Sequence, residues 1–242
     1  MFCRVIELIE ATASIWVVRL QIVSGGPYRF SAGQYGLVTF GEQRPREYSM
    51  ANCPDDDILE FHVRHASTGG ASAYVARELR VGEDVRVEGP FGHAWLRTDH
   101  PGPILAIAGG SGVAPIKSIV ETAVRRHVGS DLQVFIGARD DSDLYIEPHF
   151  RTIAAAHPRL RLETVVADPS GPTARRIGTV LDAVAQDVGH CAGMKAYVAG
   201  PSAMVAAAVD LLLGLGLHPE DLHSDLFDPV AFAGRAAGQG AG

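Results

Sequence analysis

Two stretches of this sequence put residue types in an order that can do chemistry. The first is Ile104-Leu105-Ala106-Ile107-Ala108 running into Gly109-Gly110-Ser111-Gly112-Val113-Ala114-Pro115, an apolar strand, a glycine-rich turn, and a helix that proline can open. Glycines let the backbone turn sharply and approach a pyrophosphate. The free amides and positive dipole end of the next helix then stabilise its charge. The turn lacks the Lys-Ser/Thr ending of a Walker loop, and Val113 stands where a Gly-x-Ser-x-Gly nucleophile elbow needs its second glycine. A hydrolase is therefore not expected, and dinucleotide binding by Gly109, Gly110, Ser111, Gly112 and Pro115 is. The ribose should meet the end of the next strand, at Gly137-Ala138-Arg139-Asp140-Asp141. There Arg139 would grip a 2′-phosphate, whereas Asp140 or Asp141 would accept from a free 2′-hydroxyl and repel that phosphate.

The second stretch is Arg46-Glu47-Tyr48-Ser49, read as a strand with Arg46 and Tyr48 on one face and Ser49 on the other. A flavin site needs an aromatic plate for the ring, a polar group near its reactive nitrogen and a cation at the pyrophosphate. In isolation the tetrapeptide is ordinary strand surface.

These stretches need elements to hold them. Up to about residue 99 the chain reads as short strands with turn punctuation: Ile15 to Val23, Gln34 to Phe40, Arg46 to Met50, Ile58 to His65 and Asp84 to Glu88. A helix from Ala71 to Arg80 follows a Gly-Gly break, and the expected sum is a six-stranded antiparallel β-barrel with one capping helix. After the Pro101-Gly102-Pro103 connector, apolar strands alternate with helical segments, which predicts a Rossmann-like parallel α/β sheet over 100–230. Its strands are Ile104 to Ala108, Leu132 to Ile136, Leu160 to Val166, Ala196 to Ala199 and Leu222 to Leu226, with helices starting near Pro115, Glu147, Thr179 and Pro201. The Ala/Gly-rich residues 231–242 have little to bury and are expected to be disordered.

With 242 residues, 47% hydrophobic and 20% charged, the chain can bury two compact cores. A net charge of −7 disfavours a nucleic-acid binder, which needs a basic surface to displace counterions. Arg125-Arg126-His127 and Arg175-Arg176 read as solvated surface. Cys3, Cys53 and Cys191 have no metal-ligand spacing, so no metal site is expected. The acidic, non-apolar start argues against a signal peptide and for the cytoplasm. Residues 196–217 are nearly all apolar, but Gly200-Pro201 interrupts them, and strand-then-helix explains the run better than a membrane span.

Taken in order, the motifs resemble the ferredoxin–NADP reductase superfamily over nearly the whole chain. The first half is similar at Phe30-Ser31-Ala32-Gly33-Gln34-Tyr35, at Arg46-Glu47-Tyr48-Ser49, at His62-Val63-Arg64, at Gly69-Gly70-Ala71-Ser72 and at Gly89-Pro90-Phe91-Gly92. The second half is similar at the glycine-rich turn, at Gly137-Ala138-Arg139 with Asp143-Leu144-Tyr145, and at Gly200-Pro201-Ser202-Ala203-Met204-Val205. The resemblance implies a bound FAD, with Arg46 as the pyrophosphate cation, Tyr48 against the ring and the Ser49 hydroxyl facing the reactive nitrogen. It implies that His62, Val63, Arg64, Gly69, Gly70, Ala71 and Ser72 complete that site. Gly200, Pro201 and Met204 would join the nucleotide turn. Phe227 is similar to a C-terminal aromatic that covers the other flavin face in some members, which would make Ser49, Tyr48 and Phe227 the catalytic positions; otherwise it closes the last strand. Two residues depart from the family pattern: Glu47 replaces a common proline, and Ala199 replaces a cysteine often found before the Gly-Pro.

The implied activity is oxidation of NADH, or of NADPH, by an FAD-dependent reductase like those of bacterial multicomponent oxygenases. A ferredoxin or the oxygenase component itself would be the acceptor. Arg64, Arg125 and Arg126 are candidate docking charges. The chain has no Cys-x4-Cys-x2-Cys series, so the one-electron relay is expected on another protein or outside this sequence. The alternatives are a reductase of free flavin and, in a different class, a flavin- and nucleotide-binding subunit or sensor that does not turn over.

Overall fold

The computed structural model describes residues 1–65 and 69–227, the last three without their side chains. Six strands form an antiparallel sheet: β1 (Phe2–Thr12), β2 (Ile15–Ser24), β3 (Tyr35–Phe40), β4 (Arg46–Ser49), β5 (Ile58–Arg64) and β6 (Asp84–Phe91). Their order is β4-β3-β6-β1-β2-β5, and a bridge between Met50 and Phe61 joins the two ends into a barrel. Strand alternation fills it: Cys3 and Val5 from β1, Val18 and Leu20 from β2, and Leu59, Phe61 and Val63 from β5 share one core. The first strand had no place among the expected ones, because its outward residues Arg4, Glu7 and Glu10 mask the inward alternation. Helix α1 (Ala71–Arg77) packs Ala71 and Val75 against the barrel, and ends three residues short of the expected Arg80.

The second sheet is parallel, with β7 (Ile104–Gly109), β8 (Leu132–Ala138), β9 (Leu160–Val166), β10 (Arg176–Ile177), β11 (Lys195–Pro201) and β12 (Leu222–Phe227) in the order β10-β9-β8-β7-β11-β12. The continuous apolar run of β7 suits a strand covered on both faces. Ile104, Ala106 and Ala108 meet α2 (Val113–Arg125) and α3 (Glu147–Ala156), while Leu105 and Ile107 meet α4 (Val180–Asp187) and α5 (Ser202–Gly214). Barrel and three-layer α/β sheet are the expected two-part architecture. The strand β10 is new, two residues too short to leave a periodic signal.

Residues 196–217 divide into β11 and α5, and no helix among the described residues is long and apolar enough to cross a membrane. Residues 231–242, expected to be disordered, lie outside the described residues.

Candidate active site

The parallel sheet grows outward in both directions from β7: β8, β9 and β10 lie on one side, β11 and β12 on the other. At such a switch point the loops leave in opposite directions and open a crevice at the carboxyl ends of the strands. The glycine-rich turn lies there. Gly110–Gly112 form one 3₁₀ turn, and α2 begins at Val113, two residues before the proline expected to open it.

Each glycine has a separate reason. Gly110 has φ 55°, in the left-handed region where a Cβ is strained. A Cβ on Gly112 would lie 2.1 Å from the Ala199 carbonyl oxygen, so only glycine lets α2 sit this close to β11. A Cβ on Gly109 would lie 2.6 Å from the Met204 sulfur, and one on Gly200 2.6 Å from the Met204 methyl. Gly109 and Gly200 therefore make room for the Met204 side chain, with Pro201 beside it at the start of α5. Pro115 is buried inside α2 and Ser111 stays half-buried on the turn.

Strand β4 presents the barrel side. Arg46 is exposed and makes no ion pair among the described residues. Tyr48 packs edge-on to Phe40 with ring centroids 5.9 Å apart, and burial pushes its phenol up to about 12. Ser49 is 4% exposed, yet its Oγ has no hydrogen-bond partner among the described residues. A buried hydroxyl without a partner is costly, and such an atom marks a place where a ligand completes the structure. This set fits a flavin: an aromatic wall, an unsatisfied hydroxyl and a free cation on one strand.

Strand β5 splits the expected His62-Val63-Arg64 contact by its period of two. Val63 points into the barrel core and is fully buried. His62 faces the second domain, where both ring nitrogens are engaged: Nδ1 with the Tyr145 hydroxyl at 2.7 Å and Nε2 with Glu60 at 3.0 Å. Both side chains are thus engaged within the protein, which leaves only their backbone to meet a cofactor. Arg64 is exposed at the strand end, and a Cβ on Gly110 would lie 3.4 Å from its guanidinium, so it stands where barrel and nucleotide turn meet. Gly69 (φ 90°) and Gly70 (φ 77°) hold positive φ, with no described atom within 4 Å of where a Cβ would lie, ahead of Ala71 and Ser72 at the start of α1. Phe227 closes β12 opposite Pro201, and its side chain lies outside the described residues.

The ribose-end residues are tied into turns. Asp140 accepts from Ser142 N at 3.0 Å and from Ser170 N, and those bonds hold its carboxyl well below the usual range. Asp141 pairs with Arg175, which also reaches the buried Glu147. Arg139 pairs with the exposed Asp168 at 3.2 Å. The hydrogen bonds from Ser142 and Ser170 thus favour the charged form of Asp140, where the resemblance puts the ribose.

Sequence reasoning missed the contact between the domains. On α2, Lys117, Ser118, Glu121 and Thr122 form a polar stripe that normally reads as a solvated helix face, yet all four are at most 7% exposed. Lys117 Nζ donates to Ala51 O at 3.1 Å, and Ser118 Oγ donates to Asn52 O at 2.6 Å. Arg125 and Arg126, considered as docking charges, instead pair with Asp56 and Asp55 of the barrel at 2.6 Å each. The available signal was Lys117-x3-Glu121 inside an otherwise apolar helix of the parallel-sheet domain.

Comparison with known proteins agrees with this geometry. Residues 3–95 match the oxidoreductase FAD-binding domain family, and residues 106–210 match the oxidoreductase NAD-binding domain family. The chain is 41% identical to a Ralstonia sp ferredoxin–NAD(P)(+) reductase component of naphthalene 1,2-dioxygenase/salicylate 5-hydroxylase systems, over 91% of this chain and 66% of that protein. It is 32% identical to the NAD(P)H-flavin reductase of Aliivibrio fischeri, over 75% of this chain and 79% of that one. The crystal structure of the Amycolatopsis cytochrome P450 reductase GcoB superposes with a TM-score of 0.87 at 34% identity, covering 94% of this chain and 69% of that one. The chain thus spans just under two thirds of the Ralstonia relative and 64% of the corresponding Pseudomonas putida component.

Proposed function

The chain belongs to the ferredoxin–NADP reductase superfamily, and on that premise we propose that it oxidises NADH, in preference to NADPH, and passes the electrons through FAD to a ferredoxin or an oxygenase component. The observation that carries the reading is the buried, unpartnered Ser49 hydroxyl on the barrel strand whose end abuts the helix that follows the glycine-rich turn. FAD, when bound, accepts two electrons together and releases them singly.

Each group on the chain has a part in this. Arg46 supplies a free cation for a pyrophosphate, and the turn of Gly69 and Gly70 leaves open backbone beside α1 for the same group. Tyr48 offers an aromatic wall, and Ser49 a hydroxyl that gains its partner only when a ligand arrives. Gly110 provides exposed backbone at the switch point for the nucleotide phosphates, while Gly109, Gly112 and Gly200 let Met204 and β11 pack closely beneath it. Asp140 and Asp141 favour a free 2′-hydroxyl, since a 2′-phosphate there would meet two carboxylates. A cytoplasmic location fits three buried thiols with no disulfide.

A second reading, reduction of free flavin, is supported by the Aliivibrio relative. Steady-state oxidation of NADH with a panel of ferredoxins against free FMN separates the two. Faster reduction of a ferredoxin supports the electron-chain reading, and faster, saturable reduction of FMN at comparable concentration supports the other.

A further inference from the structure

Glu60 lies on β5 facing the second domain, its side chain 4% exposed, and takes charge from three directions. Its Oε2 accepts from Arg19 Nε at 2.8 Å and its Oε1 from His62 Nε2 at 3.0 Å, and Lys117 Nζ lies 3.2 Å from Oε1 as an ion-pair partner. Burial alone would raise the carboxyl, but His62, Lys117 and Arg19 outweigh it and hold Glu60 ionised. An ionised carboxylate only accepts, so Nε2 of His62 carries its proton. Burial lowers the imidazole and keeps it neutral, and Nδ1 therefore accepts from the Tyr145 hydroxyl.

Lys117 Nζ donates to Ala51 O and forms ion pairs with Glu60 Oε1 and with Glu121 Oε1 at 3.0 Å. Glu121 continues to His149 on α3 at 2.5 Å. From one barrel carboxylate the network therefore reaches the nucleotide domain at two separate points, Lys117 directly and Tyr145 through His62. Both points lie close to functional segments. Ala51 is two residues beyond Ser49, and Lys117 is five residues beyond Gly112.

Stability alone does not account for such a network, since buried ion pairs are often no better than well-packed apolar residues. Hydrogen bonds differ from apolar contact in having fixed lengths and directions. Two separate attachment points restrict tilt as well as distance. We propose that Glu60, His62, Lys117 and Tyr145 are positioning residues that set the barrel site and the nucleotide turn at the separation hydride transfer requires. The proposal rests on the reductase reading above.

The test uses the full chain reconstituted with FAD, as Tyr145→Phe, Lys117→Met and Glu60→Gln. Three quantities are read: the single-turnover rate of flavin bleaching by NADH without oxygen, the Kd for NAD⁺, and hydrogen exchange at residues 49–53 and 113–118 without nucleotide. Small misplacement of reacting groups is costly, so Tyr145→Phe should slow bleaching by about tenfold or more while the Kd stays within about threefold of wild type. Exchange at 49–53 and 113–118 should rise in the same variants. Tyr145→Phe removes one oxygen, so it carries the test even where Lys117→Met does not fold. Bleaching at the wild-type rate, or slowed only in proportion to lost FAD or NAD⁺ binding, overturns the proposal whatever exchange shows. Should the wild-type protein bind FAD and resist NADH, the reductase reading fails, and exchange alone decides whether the network couples the domains; unchanged exchange then overturns it.

Discussion

Ser49 and Arg46 are three residues apart on one strand and make opposite demands on the molecule. The buried Ser49 hydroxyl lacks a partner, so in the ligand-free protein it is a cost rather than a contact. Ser49→Ala should leave the FAD-free protein as stable as wild type, or more stable by up to about 1 kcal/mol, while weakening what happens once flavin is bound. Urea unfolding of the FAD-free protein beside NADH-dependent bleaching of the loaded one checks both halves; a loss of FAD-free stability would mean that Oγ has a structural partner. Arg46→Ala should keep the fold, because the side chain is exposed and pairs with nothing described, and should weaken FAD binding by about tenfold or more. Equal FAD affinity by fluorescence titration would show the cation to be misassigned. The roles proposed for Arg46, Tyr48 and Ser49 came only from the ordered family motifs, since the tetrapeptide alone is ordinary strand surface. Which side chains of His62-Val63-Arg64 face a ligand was not legible. That depends on which face of β5 meets another domain, a tertiary fact.

At the scale of elements, α2 is where sequence reasoning both succeeded and failed. Its start was readable because a glycine-rich turn between an apolar strand and a helix has few other physical uses. Gly112→Ala would place a methyl 2.1 Å from the Ala199 carbonyl oxygen and push α2 off β11. Overpacking of this kind should cost about 1–3 kcal/mol in urea unfolding and weaken NADH binding with it. A variant with wild-type stability and affinity would mean that α2 adjusts freely. The other face of α2 was unreadable, because polar residues at helical spacing look the same whether water or a second domain covers them. Lys117 and Glu121 are buried only because the barrel supplies Glu60 and the Ala51 carbonyl. The β1 strand was missed for a related reason: a strand with charged outward residues shows weak alternation.

For the molecule as a whole, the two-part architecture was readable from the change of hydrophobic period near residue 100, whereas the coupling of the parts was not. That coupling predicts a pH signature. Glu60 is held below the usual carboxylate value of 4.5, so its stabilising contribution is fully present above that value and is lost as pH falls through the lower folded value. Wild-type stability should therefore fall between about pH 5 and pH 3 more steeply than that of Glu60→Gln, by thermal unfolding across that range. Parallel curves would remove Glu60 from the acid response. The ribose end makes a second prediction at this scale. With the Asp140 carboxylate held charged by its hydrogen bonds and Arg139 paired to Asp168, kcat/KM should be higher for NADH than for NADPH. Higher efficiency with NADPH would mean that Arg139 leaves Asp168 for the phosphate.

The central claim, that barrel and nucleotide domain together form a site for hydride transfer, is tested most directly by the absorbance spectrum of the purified protein, titrated with NADH in the absence of oxygen. The account predicts a yellow protein with about one FAD per chain, whose flavin band bleaches with about one NADH added. A protein that cannot be loaded with FAD, or a bound flavin that NADH leaves unbleached, would contradict it.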